Sequence, residues 1–213
     1  MNYLEFKNYA MKVPIIFSRD VLLHSNNKQA IRNQLTRWSS RGLLIKLRRG
    51  IYILNEADRK IPVSKAYIAN QLYGPSYISL EYVLGHYGLI PERVYDVTSV
   101  TTKKTMSIQN SLADFAYSHL KPKAYRGFEV FKDESGFSYL MATPEKAILD
   151  FIYFNMKKFR QPYRKVLEIS YRFQNIDILR PERLKMLVEL FDNRKMREIS
   201  QALLIWIEEE NVK

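Results

Sequence analysis

Residues 26–54 read NNKQAIRNQLTRWSSRGLLIKLRRGIYIL, and the fold turns on how the hydrophobic period changes inside this stretch. Ile31, Leu35 and Trp38 recur at i, i+4 and i+7, one apolar stripe of a helix running from about Asn27 to Arg41. Asn26 or Asn27 supplies the N-cap and Gly42 the helix stop. The period then falls to two. Leu43, Ile45 and Leu47 share one side of a strand, and Leu44, Lys46 and Arg48 the other. Gly50 gives the positive φ of a tight hairpin, and Ile51 and Ile53 return on the second strand.

Upstream, MNYLEFKNYAM is expected to form a short helix with Leu4, Tyr9 and Met11 on its apolar face, joined by Phe6 and ended by Pro14. FSRDVLLHS follows as a second, with Ser18 as N-cap and Val21, Leu22 and Leu23 buried. Helix, turn, polar-faced helix, then hairpin is the order of a winged helix-turn-helix. A B-form major groove is about 12 Å wide and admits one α-helix, which must present base-reading side chains outward and an apolar stripe inward. Opposite the stripe lie Gln29, Asn33, Thr36, Arg37 and Ser40, with Lys28 and Arg32 on the flank. Gln29 and Asn33 suit adenine, Arg32 and Arg37 suit guanine or phosphate, and Lys46, Arg48 and Arg49 reach a neighbouring backbone or the minor groove. The expected DNA-contacting set is Asn27, Lys28, Gln29, Arg32, Asn33, Thr36, Arg37, Arg41, Lys46, Arg48 and Arg49. The competing interpretation is a solvated polar helix face and a basic hairpin tip that only aids solubility.

Charge favours contact. The 213 residues carry a formal net charge of +12. Residues 1–54 hold ten basic and two acidic side chains, a net +8, so two-thirds of the excess sits in the first quarter of the chain. A solubility device needs no such asymmetry; a docking surface for a polyanion does. The absence of cysteine excludes disulfide scaffolds, thiolate metal sites and cysteine nucleophiles. No apolar run approaches the ~20 residues of a membrane span, and the start lacks a signal-peptide pattern. The expectation is a soluble cytoplasmic protein without a membrane partner.

Residues 55–63, NEADRKIPV, are polar and aperiodic and form the candidate linker between a domain at 1–54 and a second at 64–213. Ser64 caps KAYIANQLY, and Ser79 caps LEYVLGHYG with Leu80, Val83, Leu84 and Tyr87 in helical register. RVYDVTSVTT, DFAYSHL, FEVFKD and FSYLMAT alternate as strands. TPEKAILDFIYFNM starts a helix at Thr143 and Pro144, with Glu145 at the positive helix end, Lys146 solvated, and Ala147, Ile148, Phe151 and Ile152 in the core. RPERLKMLVELF and REISQALLIWIEEE continue as helices. The expected class is α+β: an N-terminal winged helix-turn-helix, then a mixed domain with a small antiparallel-rich sheet and a helical end.

Chemistry-bearing clusters are sparse. His24, His86 and His119 have no ligand spacing. Asp96, Glu129 and Lys132 suggest a metal-dependent nuclease, but EVFK sets acid and lysine three apart, on opposite faces of a strand. There is no phosphate-binding glycine loop. No cofactor and no enzymatic activity are expected; a DNA-directed nuclease and a protein-interaction module are the alternatives.

Through RGLLIKLRRGIYIL, YISLEYVLGHYGLIPERVYDVTSVTT and ATPEKAILDFIY, in order over about residues 15–155, the chain resembles the AbiEi family of bacterial antitoxins, also described as regulators of viral defence systems. The resemblance implies an N-terminal winged-helix domain that represses its own operon at inverted repeats and a C-terminal antitoxin domain. It also implies a nucleotidyltransferase-like toxin as functional partner, without a requirement for direct contact. The family's DNA-binding role falls on the Asn27–Arg41 helix and the Arg48–Arg49 turn; no catalytic residue carries over.

Overall fold

Asn2 and Glu5 cap each other reciprocally, side chain to backbone, at 2.9 Å in both directions, and so start α1 (Tyr3–Ala10). The computed structural model describes residues 2–23 and 27–211. Phe6 and Ala10 are the buried residues of α1, whereas Leu4 is 66% exposed, against the expected apolar face. The helix is oriented by aromatic packing: the Phe6 and Tyr3 rings lie 4.7 and 5.5 Å from Trp38. Next come β1 (Ile16–Phe17), α2 (Ser18–Leu23), α3 (Lys28–Ser40), β2 (Leu44–Arg48) and β3 (Ile51–Leu54). α2 buries Val21 alone; Leu22 is half-buried and Leu23 is exposed, because six residues of helix present only one inward position.

The three strands form an antiparallel sheet in the order β1-β3-β2, and its hairpin faces two cores. Leu44, its partner Leu54, and Tyr52 pack with Phe6, Ile16, Val21, Ile31, Leu35 and Trp38. Leu47, Ile51 and Ile53 turn the other way and join Ile15 in the larger core of the second half of the chain. That explains why all four residues of β3 are buried: an uninterrupted apolar strand is covered on both faces. The expected linker is anchored. Asp58 accepts hydrogen bonds from the Tyr3 hydroxyl at 2.7 Å and from the Lys7 ammonium, and the Pro62 carbonyl accepts from Ser135 Oγ at 3.1 Å.

The second half runs α4 (Lys65–Leu72), β4 (Ser76–Ile78), α5 (Glu81–His86), β5 (Val97–Thr101), β6 (Met106–Gln109), β7 (Asp114–His119), β8 (Phe128–Lys132), β9 (Ser138–Ala142), α6 (Pro144–Asn155), α7 (Tyr163–Lys165), α8 (Pro181–Glu189) and α9 (Arg194–Asn211). Its sheet has six strands in the order β6-β7-β5-β4-β9-β8 and is mixed, with parallel pairs β4/β9 and β5/β7. It is therefore larger than expected. β4 and β6, three and four residues long, are too short to announce themselves by alternation. Residues 94–96 lie outside β5. Ser64 caps α4 as expected, accepting from the Tyr67 amide at 3.1 Å. Ser79 does not cap α5: Leu80 occupies that position at φ 61°, and Ser79 Oγ donates instead to Asp150 at 2.8 Å. Among the described residues no helix is long and apolar enough to cross a membrane.

Candidate nucleic-acid interface

The outer surface of α3 is built by its inner one. Ile31, Leu35 and Trp38 are each at most 5% exposed, which fixes the helix rotation and turns Lys28, Gln29, Arg32, Asn33, Thr36 and Arg37 into solvent. Asn27 caps the helix, its Oδ1 accepting from the Ala30 amide at 2.9 Å, so this side chain serves the helix start. Asn26, the alternative cap, and His24 lie outside the described residues. Thr36 and Ser40 donate their hydroxyl protons back to the carbonyls of Arg32 and Arg37, at 3.0 and 2.9 Å. Gln29 Nε2 donates to Asn33 Oδ1 at 3.0 Å. Arg41 closes the helix, exposed, and Gly42 follows at φ 72°.

The hairpin is tied to the helical part at its tip. Gly50 adopts φ 81°, its carbonyl accepts from the Ser18 amide at 2.8 Å, and a Cβ there would meet Ser18 Oγ at 3.0 Å. Lys46 and Arg49 are exposed. Arg48 is half-buried and its Nη1 donates to the Leu72 carbonyl at the end of α4, where helix carbonyls lack intrahelical partners. The two adjacent arginines therefore differ: Arg49 is presented to solvent, and Arg48 clamps the hairpin to the second half. The register shift between Lys46 and Arg48 lies beside this turn. The exposed cations of residues 27–54 are thus Lys28, Arg32, Arg37, Arg41, Lys46 and Arg49, and this segment contains no aspartate or glutamate.

The acid–lysine constellation is not assembled. Asp96 precedes β5 and Glu129 sits on β8, with β4 and β9 between, which sets their strands about 14 Å apart. Glu129 is engaged by Arg183 at 2.6 Å. His86 ends α5 and His119 ends β7, both exposed. Among the described residues no three histidine or acidic side chains converge as metal ligands.

A second polar cluster escapes the sequence. Lys146, expected in solvent, is fully buried and ion-paired to the equally buried Asp150 one turn along α6. Asp150 also accepts from the Tyr77 hydroxyl and Ser79 Oγ, each at 2.8 Å. Burial pushes the Lys146 ammonium down and the Asp150 carboxyl up, and their mutual attraction opposes both shifts. Burial and the adjacent Asp150 push Tyr77 well above its ordinary value. Glu145, also buried, accepts at Oε1 from the Arg180 backbone amide at 3.2 Å and from its Nε at 3.1 Å. These bonds, together with its own backbone and Thr143, outweigh burial and hold its carboxyl below the usual range. The visible signal is a lysine–aspartate pair at i, i+4 in KAILDFI, with apolar residues between and after the two charges. Lys146, Asp150, Tyr77 and Ser79 bond to one another and join α6 to β4 and the residue after it, an arrangement that holds layers together.

Neither a protein-family model nor a curated protein matches the sequence.

Proposed function

We propose that the chain is a DNA-binding transcriptional repressor whose residues 2–54 work as a winged helix-turn-helix. α3 enters the major groove, and the β2–β3 hairpin, through Lys46 and Arg49, grips the flanking backbone. The observation that carries this is one-signed exposure. Six cations, two carboxamides and a threonine occupy the outer face of α3 and the adjoining hairpin, with no acid in residues 27–54. A merely solvated face would mix signs. The three AbiEi-like motifs support the wider role, an antitoxin of a toxin–antitoxin or phage-defence operon. It would bind inverted repeats in its own promoter and act beside a nucleotidyltransferase-like toxin without needing to touch it, in the cytoplasm. The separation of Asp96 from Glu129 argues against the nuclease alternative. The test is a titration of the full chain against duplex from its own upstream region and against a scrambled duplex. Preference for the upstream duplex supports the proposal, and equal or absent affinity for both overturns it.

A further inference from the structure

β8 (Phe128–Lys132) is the last strand of the six-stranded sheet: β9 pairs with one side of it and no strand lies on the other. Backbone groups on the outer side of an end strand lack a ladder partner and can pair with a further strand, so natural edges are commonly guarded by charge. Of the two charges on β8, Glu129 is bound by Arg183 Nη2 at 2.6 Å, and Lys132 sits at the strand's end. The middle residue, Val130, is apolar and 67% exposed. Met186 of α8, which lines a cavity with Phe128 and Arg126, is 62% exposed. Opposite charges flank the strand. Arg126 lies two residues before it and Glu134 two residues after it. Both are exposed, and among the described residues neither makes an ion pair.

This pattern is self-complementary. When a strand pairs antiparallel with its own copy, the two-fold axis passes through one residue, which then faces itself. With the axis at Val130, valine meets valine, Glu129 faces Phe131, Phe128 faces Lys132, and Arg126 falls opposite Glu134 at both ends. The neighbouring registers fail on charge. An axis at Glu129 sets two carboxylates face to face, and an axis at Phe131 sets Glu129 opposite Asp133; like charges directly opposite are destabilising. The register centred on Val130 is also the one that pairs the whole strand. We propose that β8 is the edge by which two copies of the chain join into a two-fold dimer, with their six-stranded sheets continuous across the contact. Five residues on each side make a small interface, so the association is weak, with a dissociation constant on the order of 0.1 mM. This contact goes beyond the DNA-binding interpretation and does not depend on it.

Sedimentation equilibrium of the full chain without DNA, from about 10 µM to about 1 mM, reads the association directly. The wild type should pass from monomer to dimer over that range. Val130→Asp, at an exposed position, should stay monomeric with an unchanged circular dichroism spectrum. Arg126→Glu and Glu134→Arg should each weaken the dimer by about tenfold, because each turns two opposite-charge pairs into like-charge ones. An equimolar mixture of these two variants should dimerise as well as the wild type, since each supplies the charge the other now faces. That rescue separates pairing at β8 from any other self-contact. A wild-type chain that is monomeric throughout overturns the proposal. So does a dimer that Val130→Asp leaves intact, or a pair of variants that mixing does not rescue. No readout involves DNA, so failure here leaves the DNA-binding interpretation standing.

Discussion

Replacing Arg49 and Arg48 separately should give two different phenotypes, although the residues are adjacent. Arg49 is exposed at the hairpin turn, and under the proposed function it grips phosphate. Removing one cation from a phosphate makes the slope of log K against log salt shallower by about 0.9. Extrapolated to a 1 M reference, that is also ~0.9 log units of affinity at 0.1 M salt, about eightfold. Arg49→Ala should therefore weaken operator and scrambled duplex alike, by about that factor, and leave thermal stability unchanged. Arg48 is half-buried against the Leu72 carbonyl. Its replacement by alanine removes a charge-assisted hydrogen bond of about 1.5–3 kcal/mol and should lower stability by a comparable amount without altering the salt slope. Fluorescence anisotropy at four or more salt concentrations, with denaturant melts of the same samples, reads both quantities. An Arg48→Ala variant with a slope shallower by about one and unchanged stability would show that Arg48 grips DNA and that its clamp is not made in solution.

Lys146→Met should destabilise the fold by about 3–5 kcal/mol in denaturant melts, because it strands a buried Asp150. Adding Asp150→Asn, which still accepts from Tyr77 and Ser79, should recover most of the loss; no recovery would mean the pair is not what the lysine serves. The Lys7 ammonium first, then the Tyr3 hydroxyl, hold the Asp58 carboxyl below its ordinary value. The stabilisation it gives is complete above the ordinary carboxylate range and is lost as pH falls through the lowered folded value. Asp58→Asn should therefore flatten the acid side of a stability–pH profile; an unchanged profile would show that the anchor contributes nothing. Residues 1–63 expressed alone should be several kcal/mol less stable than the same segment in the whole chain, since Ile15, Leu47, Ile51 and Ile53 lose their cover. Equal protection of the α3 amides from hydrogen exchange in fragment and whole chain would contradict this.

The sequence displays α3 and its hairpin plainly, because the period changes from 3.6 to 2 between Trp38 and Leu44 with glycine between. It displays the outer face of α3 for the same reason: fixing Ile31, Leu35 and Trp38 inward leaves Gln29, Asn33 and Arg37 no choice. It does not show that Ile51 and Ile53 face a second core. An all-apolar strand announces burial on both sides but not what does the burying. Arg48 and Arg49 look equivalent as letters and are separated only by the turn and by the proximity of the α4 end. Lys146 reads as a surface residue because lysine–aspartate pairs at i, i+4 usually lie on helix surfaces. Here β9, α5, α8 and α9 surround α6, and the apolar residues between and after the two charges are the sign of the pair's burial.

The proposed function rests on the six exposed cations of residues 27–54 forming one surface for duplex DNA. The direct measurement is the wild-type affinity for duplex carrying its own upstream region, followed across salt concentration. Six cations on phosphate predict a slope of log K against log salt of about −5, with tighter binding to this duplex than to a scrambled one. A slope near zero, or no binding at low salt, would contradict the account.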